Sequence, residues 1–183
     1  MIAALMLAAV LQGGATDALP PQGQIEGRPA AADLSPLQAR IDTARPGDRI
    51  TVAAGVYDGD LVIDRATTLT GIGRPLLRGS GHGSVVRIRA AHVTIEGFDI
   101  DGGGTGDLGR DTSGIHIAAP RATVRDNRVR QSLFGIYLRE SDDAIVEDNA
   151  IDGIPGRPPG EVGSGIHLWN SCLLYTSPSP RDS

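Results

Sequence analysis

The chain is poor in the residues on which several common architectures and functions depend. Of its 183 residues only Cys172 is a cysteine, so a disulfide framework or a thiolate metal site is excluded. It has no lysine and a net charge of −5, which argues against nucleic acid as a partner, because phosphate binding needs clustered cationic side chains. Aromatic residues make up 3%, whereas glycine contributes 25 residues. This composition favours a single domain of short strands and tight turns.

The N-terminal region has the pattern of an export signal. Residues 2–11 form an apolar run that is too short to span a bilayer, and small residues follow it. We expect a signal peptide over 1–18, although no Lys or Arg precedes the apolar run. Residues 19–33 are rich in Pro, Gln, Gly and Ala without periodicity, which predicts a linker.

The C-terminal region breaks the pattern of the rest of the chain. Residues 172–183 closely resemble one reading frame of the transposase adapter that is used to prepare sequencing libraries. We expect this stretch to be a sequencing or cloning artefact without structure, outside the fold. On this interpretation the natural sequence is a fragment that breaks off after Asn170 or Ser171.

A repeated phrase predicts the architecture. The pattern Gly-Ile-polar-aliphatic occurs at 114–117, 135–138 and 165–168, and stretches of alternating apolar and polar residues separate its copies. A period in the low twenties is typical of a solenoid in which each repeat is one coil. We therefore predict an all-β solenoid of about five coils over 34–171. Two inward columns are expected, one of Ile63, Ile88, Ile117, Leu138 and Leu168 and one of Leu69, Ile95, Val124 and Val146.

A short helix is predicted ahead of the strands. Ser35 has the character of an N-cap, Pro36 suits the first helical position, and Gln38 completes a capping-box pattern. The sequence at 45–48 contains proline and glycine, which end the helix after about two turns. So short a helix needs tertiary support, so we expect it to cap the open end of the first coil.

One outward column is the best candidate for a functional site. Arg87, His116, Tyr137 and His167 alternate with inward aliphatic residues, and Trp169 lies nearby. Two coil steps of about 4.8 Å would separate the two histidines, whereas a metal needs both nitrogens within about 2 Å. We therefore predict no metal and no cofactor. These five residues are predicted to form a partner-binding patch, since such side chains are enriched at interfaces, although they also fit an exposed scaffold ladder.

Other polar residues are better explained by structure than by chemistry. Asn127 and Asn149 occupy matching turn positions, where asparagine can bond to a neighbouring backbone and tolerates left-handed dihedrals. His82 and the pair Asp142–Asp143 occur in segments like those of pectin-hydrolysing β-helices, but in the reverse order, and the aspartates suit a turn. Glycine- and proline-rich insertions at 102–112 and 155–164 are expected to form loops. No catalytic residues are predicted.

Several stretches together resemble the NosD-type periplasmic maturation proteins of nitrous oxide reductase. The most telling are Phe-Gly-Ile-Tyr-Leu at 134–138 and Gly-Ile-His-Leu-Trp-Asn at 165–170, and the likeness extends over most of 34–171. The resemblance implies a right-handed parallel β-helix and a periplasmic protein that is not an enzyme. It further implies assembly of the copper centre with an ABC transporter. The implied partners are that transporter and the copper reductase or its chaperone, with membrane contact only through the transporter.

Two other functional classes use the same scaffold. One is a carbohydrate-active β-helix, such as a lyase, epimerase or hydrolase of uronic-acid polymers, and the other is an adhesin or glycan-binding solenoid. An enzyme of the first class would need a clustered Asp/Arg or Asp/His set on one outward face. The sequence shows no complete set of this kind.

Overall fold

The chain winds into stacked coils of three short strands each. A computed structural model describes residues 32–103, 112–158, 163–172 and 175–176, the last pair by backbone alone. Each coil adds one strand to each of three sheets, and every pairing between successive coils is parallel. The predicted parallel β-helix is confirmed by this topology, and the predicted right hand is that of nearly all parallel crossover connections. Five complete coils can be followed through the described residues.

The sheets are named A, B and C. Sheet A contains β1 (Ala32–Asp33), β3 (Val56–Asp58), β6 (Leu76–Arg78), β9 (Asp99–Asp101), β12 (Arg128–Arg130) and β15 (Ala150–Asp152). Sheet B contains β2 (Arg49–Ala53), β5 (Thr68–Ile72), β8 (Thr94–Glu96), β11 (Thr123–Arg125), β14 (Ile145–Glu147) and β17 (Tyr175–Thr176). Sheet C contains β4 (Leu61–Ile63), β7 (Val86–Ile88), β10 (Ser113–Ile117), β13 (Phe134–Arg139) and β16 (Ile166–Trp169). Helix α1 (Ser35–Asp42) precedes β2.

Branched aliphatic side chains fill the space between the sheets. Both predicted inward columns are present in register, the first in sheet C and the second in sheet B. Their members are fully buried or nearly so, except Leu168 in the last complete coil, which is half exposed. Each fully buried member stabilises the fold by about 1.5–3 kcal/mol, so coil stacking supplies most of the driving force for folding.

Helix α1 caps the first coil, as predicted, and the Gln38 side chain adds hydrogen bonds to β4 that the sequence did not predict. The Gln38 side chain donates to the Val62 carbonyl at 2.8 Å and accepts from the Val62 amide at 2.9 Å. It therefore satisfies the free edge of β4 in place of a further strand. The capping box is wrong, because Gln38 points away from the helix start and Asp33 accepts the Ser35 amide hydrogen bond instead. Leu37 and Ile41 bury the apolar face of the helix.

Asparagines form a buried step at the corner between sheets B and A. Asn127 accepts a hydrogen bond from the Phe98 amide, and its side-chain amide donates to the carbonyls of Ile95 and Arg125. Asn149 in turn accepts from the Asn127 backbone at 3.0 Å. The left-handed residues are the aspartates that precede each asparagine, with φ of 51° at Asp126 and 53° at Asp148. The asparagines thus hold neighbouring coils together, while the aspartates make the turn.

The structure describes only parts of the predicted linker and of the C-terminal stretch. The predicted signal peptide and most of the predicted linker, up to residue 31, lie outside the described residues. The last two linker residues form strand β1, which pairs with β3. The expectation that 172–183 is wholly unstructured is wrong for Tyr175–Thr176, which pair with β14. An exposed strand edge offers unpaired amides and carbonyls to any extended backbone, whatever its sequence.

No helix in the described part of the chain is both long enough and apolar enough to cross a membrane.

Candidate partner-binding face

The predicted outward column lies on sheet C. Arg87, His116, Tyr137 and His167 are direct neighbours on consecutive strands, and Val62 precedes them on β4. Alternation along each strand explains this placement, since the residues on either side of each point into the core. The structure therefore brings four of the five predicted site residues into one column.

Rings stack along this column. The His167 and Tyr137 rings are 5.1 Å apart with an interplanar angle of 5°, and the His116 ring meets Tyr137 edge-on at 5.1 Å. As a result Tyr137 is only 7% exposed, although it lies in an outward column. The prediction that Tyr137 is directly available to a partner is therefore corrected, because the neighbouring rings cover it. Its role in the column is to hold the two histidine rings.

Phe134 belongs to the same cluster and was not among the predicted site residues. Its ring centroid is 5.0 Å from His167 and 5.7 Å from Tyr137. Simple alternation assigns positions 134 and 137 to opposite faces, so the sequence pattern could not place both rings together. Phe134 lies where the chain enters β13 from the corner, opposite Ser113 of β10. The corner allows its ring to turn towards the outward column.

Trp169 lies beside the column rather than in it. It pairs with Arg139 of the preceding coil and is 55% exposed. Indole rings combine a large apolar surface with a hydrogen-bond donor, which suits them to contacts with a partner. Arg139 and Trp169 thus extend the face by one position along the strands.

The charges on sheet C differ from those on the other two sheets. None of the five strands of sheet C contains Asp or Glu, whereas Arg87 and Arg139 both lie in them. Arg89 immediately follows β7 and is exposed. None of these three arginines lies within ion-pair distance of a carboxylate in the part of the chain that the structure describes.

Sheet A carries an alternating ladder of charge. In register across five coils its outward residues are Asp58, Arg78, Asp101, Arg130 and Asp152. Arg78 makes two hydrogen bonds of 2.6 Å to Asp58, and Arg130 lies 3.4 Å from Asp101. Hydrogen bonding to Asp58 raises the pKa of Arg78 above its usual value. The sequence did not reveal this ladder, because loop insertions make the spacing of its members irregular.

Sheet B carries an outward column of Thr70, Glu96, Arg125 and Glu147. Glu96 accepts hydrogen bonds from Thr70 at 2.8 Å and from Arg125 at 2.7 Å. Burial raises the pKa of Glu96, but these hydrogen bonds and the positive charge of Arg125 outweigh it, so the pKa lies below its usual value. Charges on this sheet are therefore satisfied within the scaffold.

The remaining candidates do not assemble a site. His82 is exposed, and Asp142–Asp143 form a turn in which Asp143 has φ of 56°. The Asp142 carboxylate accepts the amide hydrogen bond of Cys172. Across the described ranges, no three His, Cys, Asp or Glu side chains lie close enough to hold a metal ion.

Comparison with known proteins places the chain among relatives of one kind. No model of a known protein family matches it. It is 34% identical over 90% of its length to a "Probable ABC transporter binding protein NosD" of Pseudomonas aeruginosa, and 31% identical over 80% to one of the same name from Stutzerimonas stutzeri. The chain spans about a third of the length of these relatives (35% and 33%). The resemblance predicted from the sequence is confirmed.

Among solved structures, the chain is similar to an alginate lyase from Paenibacillus sp. The TM-score is 0.45 at 18% identity, and the match covers 77% of this chain and 64% of the lyase.

Proposed function

Because this chain is a NosD-type protein, we propose that it is a periplasmic accessory protein in maturation of the copper centre of nitrous oxide reductase. In this role it works with an ABC transporter. The observation that carries the proposal is the likeness to two proteins named as ABC transporter binding proteins, over 80–90% of the chain. The partners are the transporter and the reductase or its copper chaperone. Contact with the membrane is then indirect, through the transporter.

The same proposal assigns a binding role and no catalytic step. The relatives are named as binding proteins. Sheets A and B use charged side chains such as Arg78 with Asp58 and Arg125 with Glu96 for contacts within the scaffold, whereas glycoside hydrolysis needs an acid and a base that are free to face the substrate. A rigid stack of coils with one distinctive face is well suited to holding a partner in a fixed position.

We place the partner contact on sheet C. Arg87, His116, His167 and Trp169 supply the exposed or half-buried side chains of this face, and Tyr137 supports them from beneath. The support for this assignment is the concentration of rings on sheet C in a chain with only 3% aromatic residues.

The function can be tested in cells that make the reductase. In a strain without this gene, we expect reductase purified from the periplasm to lack the copper–sulfide centre, as measured by its copper and sulfide content. A longer natural protein containing these coils should restore the content. An unchanged copper and sulfide content in the deletion strain would contradict the proposed function.

A further inference from the structure

Among the residues that the structure describes, no carboxylate pairs with the arginines of sheet C. Arg78, Arg130 and Arg125 on sheets A and B each lie within 3.4 Å of a carboxylate on a neighbouring coil. Arg87 and Arg139 occupy comparable outward positions on sheet C, yet their in-register neighbours are Val62 and His116 for Arg87 and Trp169 for Arg139. Sheets A and B thus pair Arg78, Arg130 and Arg125 with carboxylates, whereas sheet C offers Arg87 and Arg139 no carboxylate within the described ranges.

This arrangement gives the strands of sheet C a local positive charge on an acidic protein, while the exposed carboxylates Asp64 and Glu140 lie just beyond β4 and β13. The net charge of the chain is −5, so a positive patch is not a consequence of overall composition. Arg87 and Arg89 lie on the second coil and Arg139 on the fourth, and His116 lies on the third coil between them. At about 0.1 M salt the Debye length is near 10 Å, about the distance spanned by two coil steps. A ligand lying across these coils therefore experiences the arginines together.

We infer that sheet C binds an acidic, extended polypeptide segment of a partner protein. Charge complementarity selects the carboxylates, and exposed Trp169 provides an apolar contact at one end of the face. A polypeptide is favoured over an anionic polysaccharide because sugars stack on open ring faces, and among the described aromatic residues of sheet C only Trp169 is largely exposed. His167 covers one face of Tyr137, and the His116 ring packs against the same ring. The inference rests on the proposed function only for the existence of a protein partner.

The test uses the purified chain and a defined probe, poly-L-glutamate. We expect the affinity to fall steeply as the salt concentration rises from 50 to 300 mM. Salt screens attraction between exposed charges, and the Debye length is already only about 10 Å at 0.1 M. The variant R87Q/R139Q should bind about tenfold more weakly, since each exposed ion pair is worth up to about 1 kcal/mol. R139Q alone should bind about threefold more weakly. Arg139 is fully outward, so its replacement keeps the test valid if Arg87 proves necessary for folding.

A matched control is available on sheet A. Arg128 is exposed, lies in β12 and makes no ion pair within the described ranges, and its in-register neighbour on β9 is Asp99, where Arg139 has Trp169. R128Q should bind the probe as the unmodified chain does. Equal weakening by R128Q and R139Q would overturn the inference in favour of non-specific attraction. Tighter binding of alginate than of poly-L-glutamate would overturn it in favour of a polysaccharide site.

The outcome is separable from that of the proposed function. Binding to the probe requires neither the transporter nor the reductase. A chain that binds poly-L-glutamate through sheet C, in a strain where reductase copper is unaffected by deletion, would retain this inference and lose the proposed function. A chain that fails to bind the probe, in a strain where deletion removes the copper centre, would lose only this inference.

Discussion

Sheet C differs from sheets A and B in how it uses its outward side chains, although all three sheets have the same strand geometry. On sheets A and B, outward side chains alternate in charge and satisfy one another, as in Asp58–Arg78 and Glu96–Arg125. On sheet C they are rings and arginines that pair with no carboxylate in the described part of the chain, and Tyr137 is buried. A face whose charged groups are already paired has few groups left to bind a partner. Cations without a carboxylate partner, next to an exposed ring, can still form ion pairs and apolar contacts.

The three sheets differ in their outward side chains, whereas the inward columns of all three are mainly aliphatic and buried. Ile136→Asp should show this most strongly, since Ile136 is fully buried and an unpaired carboxylate there has no partner. We expect destabilisation by more than about 4 kcal/mol, and hence loss of strand signal in far-ultraviolet circular dichroism. Arg139→Asp places the same group on the outward side of the same strand, so it should leave the fold intact. Native melting of Ile136→Asp would show that inside and outside are reversed.

Tyr137 tests whether the outward face of sheet C is packed as the core is. Tyr137→Ser removes a ring that is 7% exposed and contacts three other rings, so we expect a loss of about 2–4 kcal/mol in the free energy of unfolding. Tyr137→Phe keeps the ring and should cost less than about 1 kcal/mol. Urea unfolding measures both. Equal stability of the Ser variant and the unmodified chain would mean that the rings do not pack on one another.

Glu96 tests the paired charges of sheet B. Glu96→Gln should lower the free energy of unfolding by about 1 kcal/mol at pH 7, because it removes the charge that Arg125 contacts. The pKa of Glu96 in the folded chain lies below its usual value, so its stabilising effect is fully present above the pKa of glutamate in the unfolded chain and is lost as pH falls through the lowered pKa.

The variant should therefore lack that part of the acid dependence. Glu140→Gln, on an exposed turn, serves as the control. Parallel pH profiles of stability for Glu96→Gln and the unmodified chain would contradict the assignment.

The smallest expected effects separate the arginines of the two kinds of face. Arg78→Gln removes two hydrogen bonds to Asp58 on sheet A and should cost about 0.5–1 kcal/mol. Arg139→Gln on sheet C removes no ion pair that the structure describes, so its effect on stability should stay within about 0.5 kcal/mol. Urea midpoints measured side by side give the difference. A larger loss for Arg139→Gln than for Arg78→Gln would mean that sheet C also uses its cations for stability.

The coil stacking could be predicted from the sequence because burial follows strand alternation. Ile63, Ile88 and Ile117 fall in register once the repeated phrase is aligned, and they do so in the structure. The burial of Tyr137 could not be predicted in this way. Alternation tells which way a side chain points, but coverage by rings on the coils above and below depends on their rotamers and on the path of the chain into β13.

The charge ladder of sheet A was missed for a related reason. Asp58, Arg78 and Asp101 become neighbours only when the exact number of residues in each turn is known, and loops of unequal length hide that number. Gln38 was assigned to a capping box because local patterns favour local contacts, whereas the free edge of β4 offered a better set of partners. Non-local competition of this kind is not visible in a short window of sequence.

We propose that sheet C binds a partner, whereas the charged side chains of sheets A and B stabilise the scaffold. Site-specific photo-crosslinking tests it most directly, with a photoreactive amino acid at position 139 on sheet C, 128 on sheet A or 123 on sheet B of the longer natural protein. In cells that contain the transporter and the reductase, we expect adducts with a protein partner from position 139 and none from 128 or 123. Adducts from 128 or 123, with none from 139, would contradict the claim.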